Sequence, residues 1–456
     1  MTTAALMLVL VTLTTHVILY SAVFGLGYQL TVLFHLDHWL ERWGIGWLLG
    51  TSCFTFVWFL LYWTTNMPFT QFSLWLTLVA LNMGVGLVTI LTRGTSAYVL
   101  TLPKFKFPTQ RNYEFWLTIF LIFICGFVLL QNWFWPVTDW DALALYDFRA
   151  KVITLRGTMS EGRALEYFFQ YPLYTSLLHV ASYLSGLQAA KIWYALIYQS
   201  FLVSFFVLLR KRASKIVALI GTVALAISPE IFNQSFMAYT NLSFAAFTTI
   251  GFLYLWQWWE DGRSKHLLLG AILIGLSTWI RMAEPFYLVA PILVIIGTIK
   301  HKSSVVKSAL AIFFTIFTRY PWDRYITLLY GKQSPTPLNQ VNFGNGLSLI
   351  FLLHRLEEVM VYVWQYSYSM LFSYVVLGMI VLIYDLRRKK YSLVLPWLTL
   401  SLFVGMIFVG TMMLSFTLES WNRIGDSLLR MTSTLLPLFI FCLFTGQIWL
   451  EKRRKS

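Results

Sequence analysis

The chain has 456 residues, 58% of them hydrophobic and 12% charged, with a mean hydropathy of +0.68. A soluble domain carries about a quarter charged residues, so the composition excludes one and points to an integral membrane protein. The net charge of +15 sits in short clusters between apolar runs, which reads as membrane orientation and anionic-lipid attraction and gives no reason to invoke nucleic acid.

The apolar runs are continuous rather than alternating. This predicts helices and not a barrel, because backbone groups in lipid must be satisfied within the segment. Met1 to Leu10 carry no Lys or Arg, so no basic leader is read there and the first run is expected to be a retained helix. Spans are predicted over about 4–30, 45–65, 72–92, 114–134, 189–209, 215–232, 237–258, 267–281, 285–299, 308–320, 366–384, 392–414 and 432–450. The runs at 267–281 and 285–299 are short and read as a tilted hairpin around Arg281-Met282-Ala283-Glu284-Pro285. Cys53, Cys125 and Cys442 fall inside predicted spans and are expected to pack as small apolar residues.

The segment Pro172–Gly186 is apolar but short, and charge decides its reading. Basic clusters lie at Arg93–Arg111, Arg210–Lys215, Arg263/Lys265, Lys300–Lys307, Arg387–Lys390 and Lys452–Lys455. If every cluster is cytoplasmic, the number of crossings between neighbours is even. That holds only if Pro172–Gly186 does not cross, so it is expected to be interfacial or re-entrant. The expected architecture is therefore all-α, with about 13 transmembrane helices, the N-terminus outside and the C-terminus cytoplasmic. It puts the whole positive surplus on the cytoplasmic side. Two long outer segments remain, at about 135–188 and 321–365, and no GxxxxGK[ST], GxGxxG or HExxH pattern occurs.

The chemistry is expected in the first of those outer segments. It reads Asp139-Trp140-Asp141, then Tyr146-Asp147-Phe148-Arg149-Ala150-Lys151. Leu143, Tyr146, Ala150 and Ile153 recur at helical spacing, predicting an amphipathic interfacial helix with the Asp pair at its N-terminal end. Capping is the plain role for an Asp there. The catalytic alternatives are a general base on an acceptor group, or two oxygen ligands for a divalent cation such as Mg or Mn. Asp147 lies four residues before Lys151, the spacing of an ordinary helical ion pair. Arg281 and Glu284 in the hairpin turn, and Arg423, Asp426 and Arg430 before the last span, are further outer-side groups. An Arg at a span mouth often only snorkels; one that serves a ligand suits phosphate. Tyr239-Thr240-Asn241 opens another span, as a polar contact or as aromatic belt and cap.

Together these residues resemble the GT-C superfamily of polytopic glycosyltransferases, in particular the prokaryotic family-39 mannosyltransferase-like and aminoarabinose-transferase-like branch. The resemblance rests on the 114–134 span followed by Asp139-Trp140-Asp141, on Arg149-Ala150-Lys151, Tyr171-Pro172 and the turn at Arg281, and on Asp426-Ser427-Leu428-Leu429-Arg430. It implies a GT-C-like catalytic core over 114–450, preceded by added helices in 1–113 and followed by a basic tail at 451–456. It also implies inverting transfer of a sugar from a polyprenyl-phosphate donor to a lipid, glycan or protein acceptor on the extracytoplasmic side of the cell membrane. On that mapping Asp139 is the base and Asp141 assists it or ligates a metal. Arg149, Lys151, Arg281 and Arg430 hold the donor phosphate, and Tyr171, Tyr239, Asn241, Glu284 and Asp426 line the substrate. The chain departs from the family at Asn241, where an acid is usual.

Two other classes fit parts of the pattern. Another lipid-linked glycan enzyme, such as a ligase or polymerase, shares the outer-face chemistry. A transporter or flippase would instead place charges at mid-membrane and break helices in matching halves, whereas the acids here sit at span ends.

Overall fold

The computed structural model describes residues 3–36, 38–94, 113–159, 169, 171–186, 189–282, 285–301, 304–330, 349–367, 371–388, 394–417 and 425–446. Among them every regular element is helical. In chain order these are α1 (Thr3–Leu33), α2 (Trp39–Thr65), α3 (Gln71–Arg93), α4 (Tyr113–Phe134), a π-helix (Ala142–Asp147) running into α5 (Phe148–Arg156), α6 (Tyr174–Leu184) and α7 (Ile192–Arg210). There follow α8 (Lys215–Ile227), α9 (Pro229–Phe232), α10 (Asn241–Asp261), α11 (Ser264–Ile280), α12 (Val289–His301), α13 (Val305–Phe317) and α14 (Tyr320–Tyr330). The last four are α15 (Leu349–Ser367), α16 (Leu371–Arg387), α17 (Val394–Thr417) and α18 (Gly425–Thr445).

Six of these helices are long and apolar enough to cross a membrane, or seven if the bent pair at 215–235 counts as one span. The faces they expose are apolar: Phe72, Met83 and Leu91 on α3, and Trp116, Ile122 and Phe123 on α4, are each at least 59% exposed. Such faces belong in lipid. The chain is a multi-pass membrane protein.

Three sequence expectations are corrected. The run at 215–232 is not one helix: α8 stops at Ser228, and the chain bends by 63° into the turn beginning at Pro229. Proline disfavours the helical conformation of the residue before it. The second outer segment, expected as a loop, holds α14 and α15. Leu143, Tyr146, Ala150 and Ile153, expected on one apolar face of the interfacial helix, part company: Leu143 is 39% exposed, while the other three are buried with Ala142 and Leu145. The π-turn widens the helix and shifts the register, so residues 142, 146 and 150 form one buried row and 145, 149 and 153 another.

The chain divides into two compact units. Unit 1 comprises residues 1–208, 232–250 and 276–282. In it α1 packs along α2 and α3, and glycines permit the approach: a methyl group at Gly27 would overlap the carbonyl of Gly46, and one at Gly50 the carbonyl of Val23. Its interior is aromatic, and several of the large polar rings find partners. Trp58 donates to Ser73 (3.1 Å), Trp193 to Ser182 (2.9 Å) and Trp279 to Thr55 (3.1 Å), while Tyr174 and Thr51 share a hydroxyl bond of 3.0 Å. Unit 2 comprises residues 209–231, 251–275 and 283–456. In it α18 contacts α8, α15, α16 and α17, and α12 pairs with α13.

Eleven residues of α6 rise about 16 Å, well short of the hydrocarbon thickness of about 30 Å. Tyr174 through Ser182 are all buried, so protein surrounds it on every side.

Candidate functional site

The site lies within unit 1 and is built on the stretch that follows α4. That helix ends at Phe134, Val137 to Asp139 run without regular structure, and helix resumes at Trp140. Trp140 is 80% exposed and Leu155 82%, which gives the stretch an apolar outer face suited to the membrane interface. Its inner face is polar and docked on α6. Ser176 donates to the carbonyl of Tyr146 (3.0 Å) and accepts from Arg149 Nε (2.7 Å). The same guanidinium donates to the carbonyls of Tyr171 (2.7 Å) and Pro172 (3.0 Å).

Arg149 is thus fully buried with its donors on protein acceptors. This is the geometry of a clamp between the interfacial helix and α6. It differs from the phosphate-holding role expected for it, because a group so placed is not presented to a ligand. Burial pushes the guanidinium down to about 10, against the opposing effect of Tyr146.

Asp147 forms the expected bridge to Lys151 (2.8 Å), with Lys151 59% exposed and Asp147 buried. Its surroundings go further than that spacing indicated. Asp147 Oδ1 lies 3.1 Å from His179 Nδ1 and also accepts from the Tyr183 hydroxyl, and His179 Nε2 lies 3.0 Å from the Tyr194 hydroxyl. An ionised Asp147 accepts, so Nδ1 donates to it. Lys151, Asp147, His179 and Tyr194 therefore form a chain from solvent into the interior.

Asp139 and Asp141 are both half-buried at the start of the stretch. The carbonyl of Asp139 accepts from the Leu143 amide (2.9 Å), and the Asp141 side chain makes no capping bond. Lys191, at the mouth of α7 and 4% exposed, reaches the carbonyl of Pro136 (3.4 Å). Burial lowers its affinity for a proton, and the charge of Asp139 works against that shift. Lys191 thus joins the first carboxylate electrostatically. Nothing in its spacing marked it, since a Lys at a span mouth reads as snorkelling.

Four residues expected at the site from distant parts of the sequence come together around Tyr146. The Tyr146 ring centroid lies 6.0 Å from that of Tyr171 and 6.5 Å from that of Tyr239. The Tyr146 and Thr240 hydroxyls are 3.2 Å apart. Arg281 lies over the Tyr171 ring, 5.6 Å from its centroid, and donates to the side-chain oxygen of Asn241. Asn241 in turn donates to Gln234 (3.1 Å). Tyr171, Tyr239 and Arg281 are half-buried and form the rim, while Tyr146, Gln234, Thr240 and Asn241 are buried beneath them. Burial, then the repulsion of Tyr171, raises the Tyr146 hydroxyl and keeps it protonated, although Arg281 acts in the opposite direction.

Half-buried aromatic faces beside a guanidinium and an amide suit a polyhydroxylated ligand with an anionic group. Ring C–H faces stack on tyrosine, and the guanidinium takes the anion. Glu284 and Arg423 lie outside the described residues; so do the side chains of Asp426 and Arg430, on α18. Among the described residues there is no group of three or more His, Cys, Asp or Glu side chains placed to hold a metal, so a cation here would rest on Asp139 and Asp141. No protein-family model, curated protein or solved structure matches the chain.

Proposed function

We propose that the chain is a GT-C-type glycosyltransferase. It would move a sugar from a polyprenyl-phosphate donor to a lipid, glycan or protein acceptor on the extracytoplasmic side of the cell membrane, through about 13 spans with the N-terminus outside. One observation carries the reading: Tyr171, Tyr239, Asn241 and Arg281 gather around Tyr146, on the helical stretch that opens with Asp139 and Asp141. Tyr146 lies five positions after Asp141, in the π-turn that follows it.

In this scheme the acceptor oxygen attacks the anomeric carbon from the face opposite the phosphate. Asp139 or Asp141 takes the acceptor proton, and the bond between the anomeric carbon and the phosphate oxygen breaks. The electron pair leaves with the polyprenyl phosphate. Arg281 meets the charge that grows on that oxygen, and the tyrosine rim holds the sugar ring. A divalent cation bound by the two aspartates would add further neutralisation. Membrane enzymes acting on lipid-linked glycans by ligation or polymerisation would use the same surface.

The test incubates membranes with radiolabelled polyprenyl-phosphate sugars, comparing wild type with Asp139→Asn, Asp141→Asn and Arg281→Ala. Loss of the base is expected to cost about 10²–10⁴-fold in rate, in one aspartate variant more than in the other. Loss of Arg281 should raise the barrier by about 2.7–4 kcal/mol. Equal transfer by wild type and both aspartate variants would sink the assignment.

A further inference from the structure

Unit 2 carries a second chemical feature, independent of the transfer reading. Two turns come together there, the one between α10 and α11 and the one between α12 and α13. Gly262 ends α10 in the left-handed conformation (φ +67°) and returns its amide to the carbonyl of Trp258 (2.7 Å). A side chain at Gly262 would meet the His301 ring at 3.3 Å, so glycine lets that ring pack. His301 Nε2 and Lys300 Nζ both reach the carbonyl of Trp259, at 2.8 and 3.0 Å, and the Lys300 ammonium lies 4.7 Å from the Trp259 ring centroid. Lys307 donates to the Ser264 hydroxyl (3.1 Å).

The acids at this end bind other cations. Glu260 pairs with Arg212 (2.9 Å), and Asp261 with His266 (2.8 Å) and Arg263 (3.8 Å). Lys300 and Lys307, both exposed, rest on a carbonyl and a hydroxyl, with no carboxylate in ion-pair contact among the described residues. Two ammonium groups therefore retain donors beside neutral acceptors, and Glu260, bridged to Arg212, feels the Lys300 charge without a direct ion pair to it.

The helices that deliver these lysines are short. Residues 285–301 rise about 25 Å and α13 about 20 Å, less than the hydrocarbon core of about 30 Å. Their outer faces are apolar, with Ile292, Ile296 and Ile299 on α12 and Val306, Leu310 and Phe313 on α13 each at least 44% exposed. A short apolar hairpin thins the bilayer or draws headgroups toward its ends. Its lysines then stand at phosphate level, directly beside surface that takes acyl chains.

We propose that Lys300 and Lys307, with the Trp259 ring, form a binding site for the phosphate of an anionic phospholipid, whose chains lie along α12 and α13. A soluble anion would gain only the charge term; a phospholipid gains the apolar contact as well.

Native mass spectrometry of the full chain in mild detergent tests this, with titration by phosphatidylglycerol, phosphatidylcholine or soluble glycerophosphoglycerol. Wild type is expected to retain phosphatidylglycerol over phosphatidylcholine. Lys300→Gln and Lys307→Gln should each weaken phosphatidylglycerol binding about fivefold, and together about thirtyfold. Phosphatidylcholine retention should not change, which also reports that the variants fold. The Lys300→Arg/Lys307→Arg pair should keep the affinity, and Arg388→Gln, in the turn just after α16, should alter it less than about twofold. The proposal fails if the Gln pair binds phosphatidylglycerol like wild type, or if Arg388→Gln weakens it as much. It also fails if glycerophosphoglycerol competes as strongly as the lipid.

Discussion

An ionised carboxylate at 1% exposure persists only when its oxygens are engaged, and Asp147 has Lys151, His179 and Tyr183 on them. Burial opposes the charged form. The bond and charge of His179 outweigh it, with Lys151 and Tyr183 adding to them, and hold the carboxyl well below the usual carboxylate range. A carboxyl depressed on folding lends stability that is complete above its unfolded value, about pH 4, and is lost as pH falls further. Asp147→Asn should therefore destabilise the protein by about 3–5 kcal/mol at neutral pH, leaving His179 and Lys151 facing a neutral amide. The penalty should shrink at pH 3, as read by thermal unfolding in detergent at both pH values. An equal penalty at the two would mean that the carboxylate is not what stabilises this junction. Arg149 belongs to the same junction: it and Asp147 fix where the stretch from Asp139 lies on α6, which places the candidate bases without touching a substrate.

At the scale of elements, long apolar runs declare most of the helices, and the limits of that signal are physical. Tyr171, Tyr239, Asn241 and Arg281 were legible because each sits at the end of an apolar segment, where polar side chains collect. His179, Lys191 and the buried role of Arg149 were not, since the contacts defining them join residues 15 to 55 positions apart and leave no mark on local spacing. The π-turn at Ala142–Asp147 was hidden for another reason: apolar residues on both of its sides allow two registers, and docking on α6 selects one. The break after Ser228 was visible in Pro229 and was overridden by the apolar run around it. Packing of α1 on α2 offers a direct test. A methyl group at Gly27 would overlap the backbone of α2, whereas one at Gly84 on α3 would meet nothing within 4 Å. Gly27→Ala should cost about 1–3 kcal/mol or more through forced separation, and Gly84→Ala should be neutral or stabilising by about 0.5–1 kcal/mol. Unfolding midpoints that fall equally for both would show that the close approach of α1 and α2 contributes nothing.

For the whole molecule, the orientation we propose rests on parity. Between the basic clusters ending at Arg111 and beginning at Arg210 lie α4, α5, α6 and α7; an even crossing count is met if α4 and α7 cross, and α5 and α6 are both too short to do so. Between Lys307 and Arg387 lie α13, α14, α15 and α16, and here the same rule selects α13 and α16 as crossings. It leaves α14 and α15 on the outer face, as suits α15, with Arg355 held by Glu358 (2.9 Å) and Glu357 exposed. A charged helix of this kind pays several kcal/mol to enter lipid. The arrangement predicts labelling by a membrane-impermeant thiol reagent in a background with Cys53, Cys125 and Cys442 replaced by serine. Arg156→Cys, at the end of α5, and Glu357→Cys should react in intact cells, and Arg388→Cys only after permeabilisation. If Arg156→Cys reacts and Glu357→Cys is protected, the crossings after Lys307 are miscounted while the face bearing Asp139 and Asp141 stands. If Arg156→Cys is protected and Arg388→Cys reacts, the orientation is inverted, and the aspartates face the compartment where a polyprenyl-phosphate donor would have to be used before it is flipped.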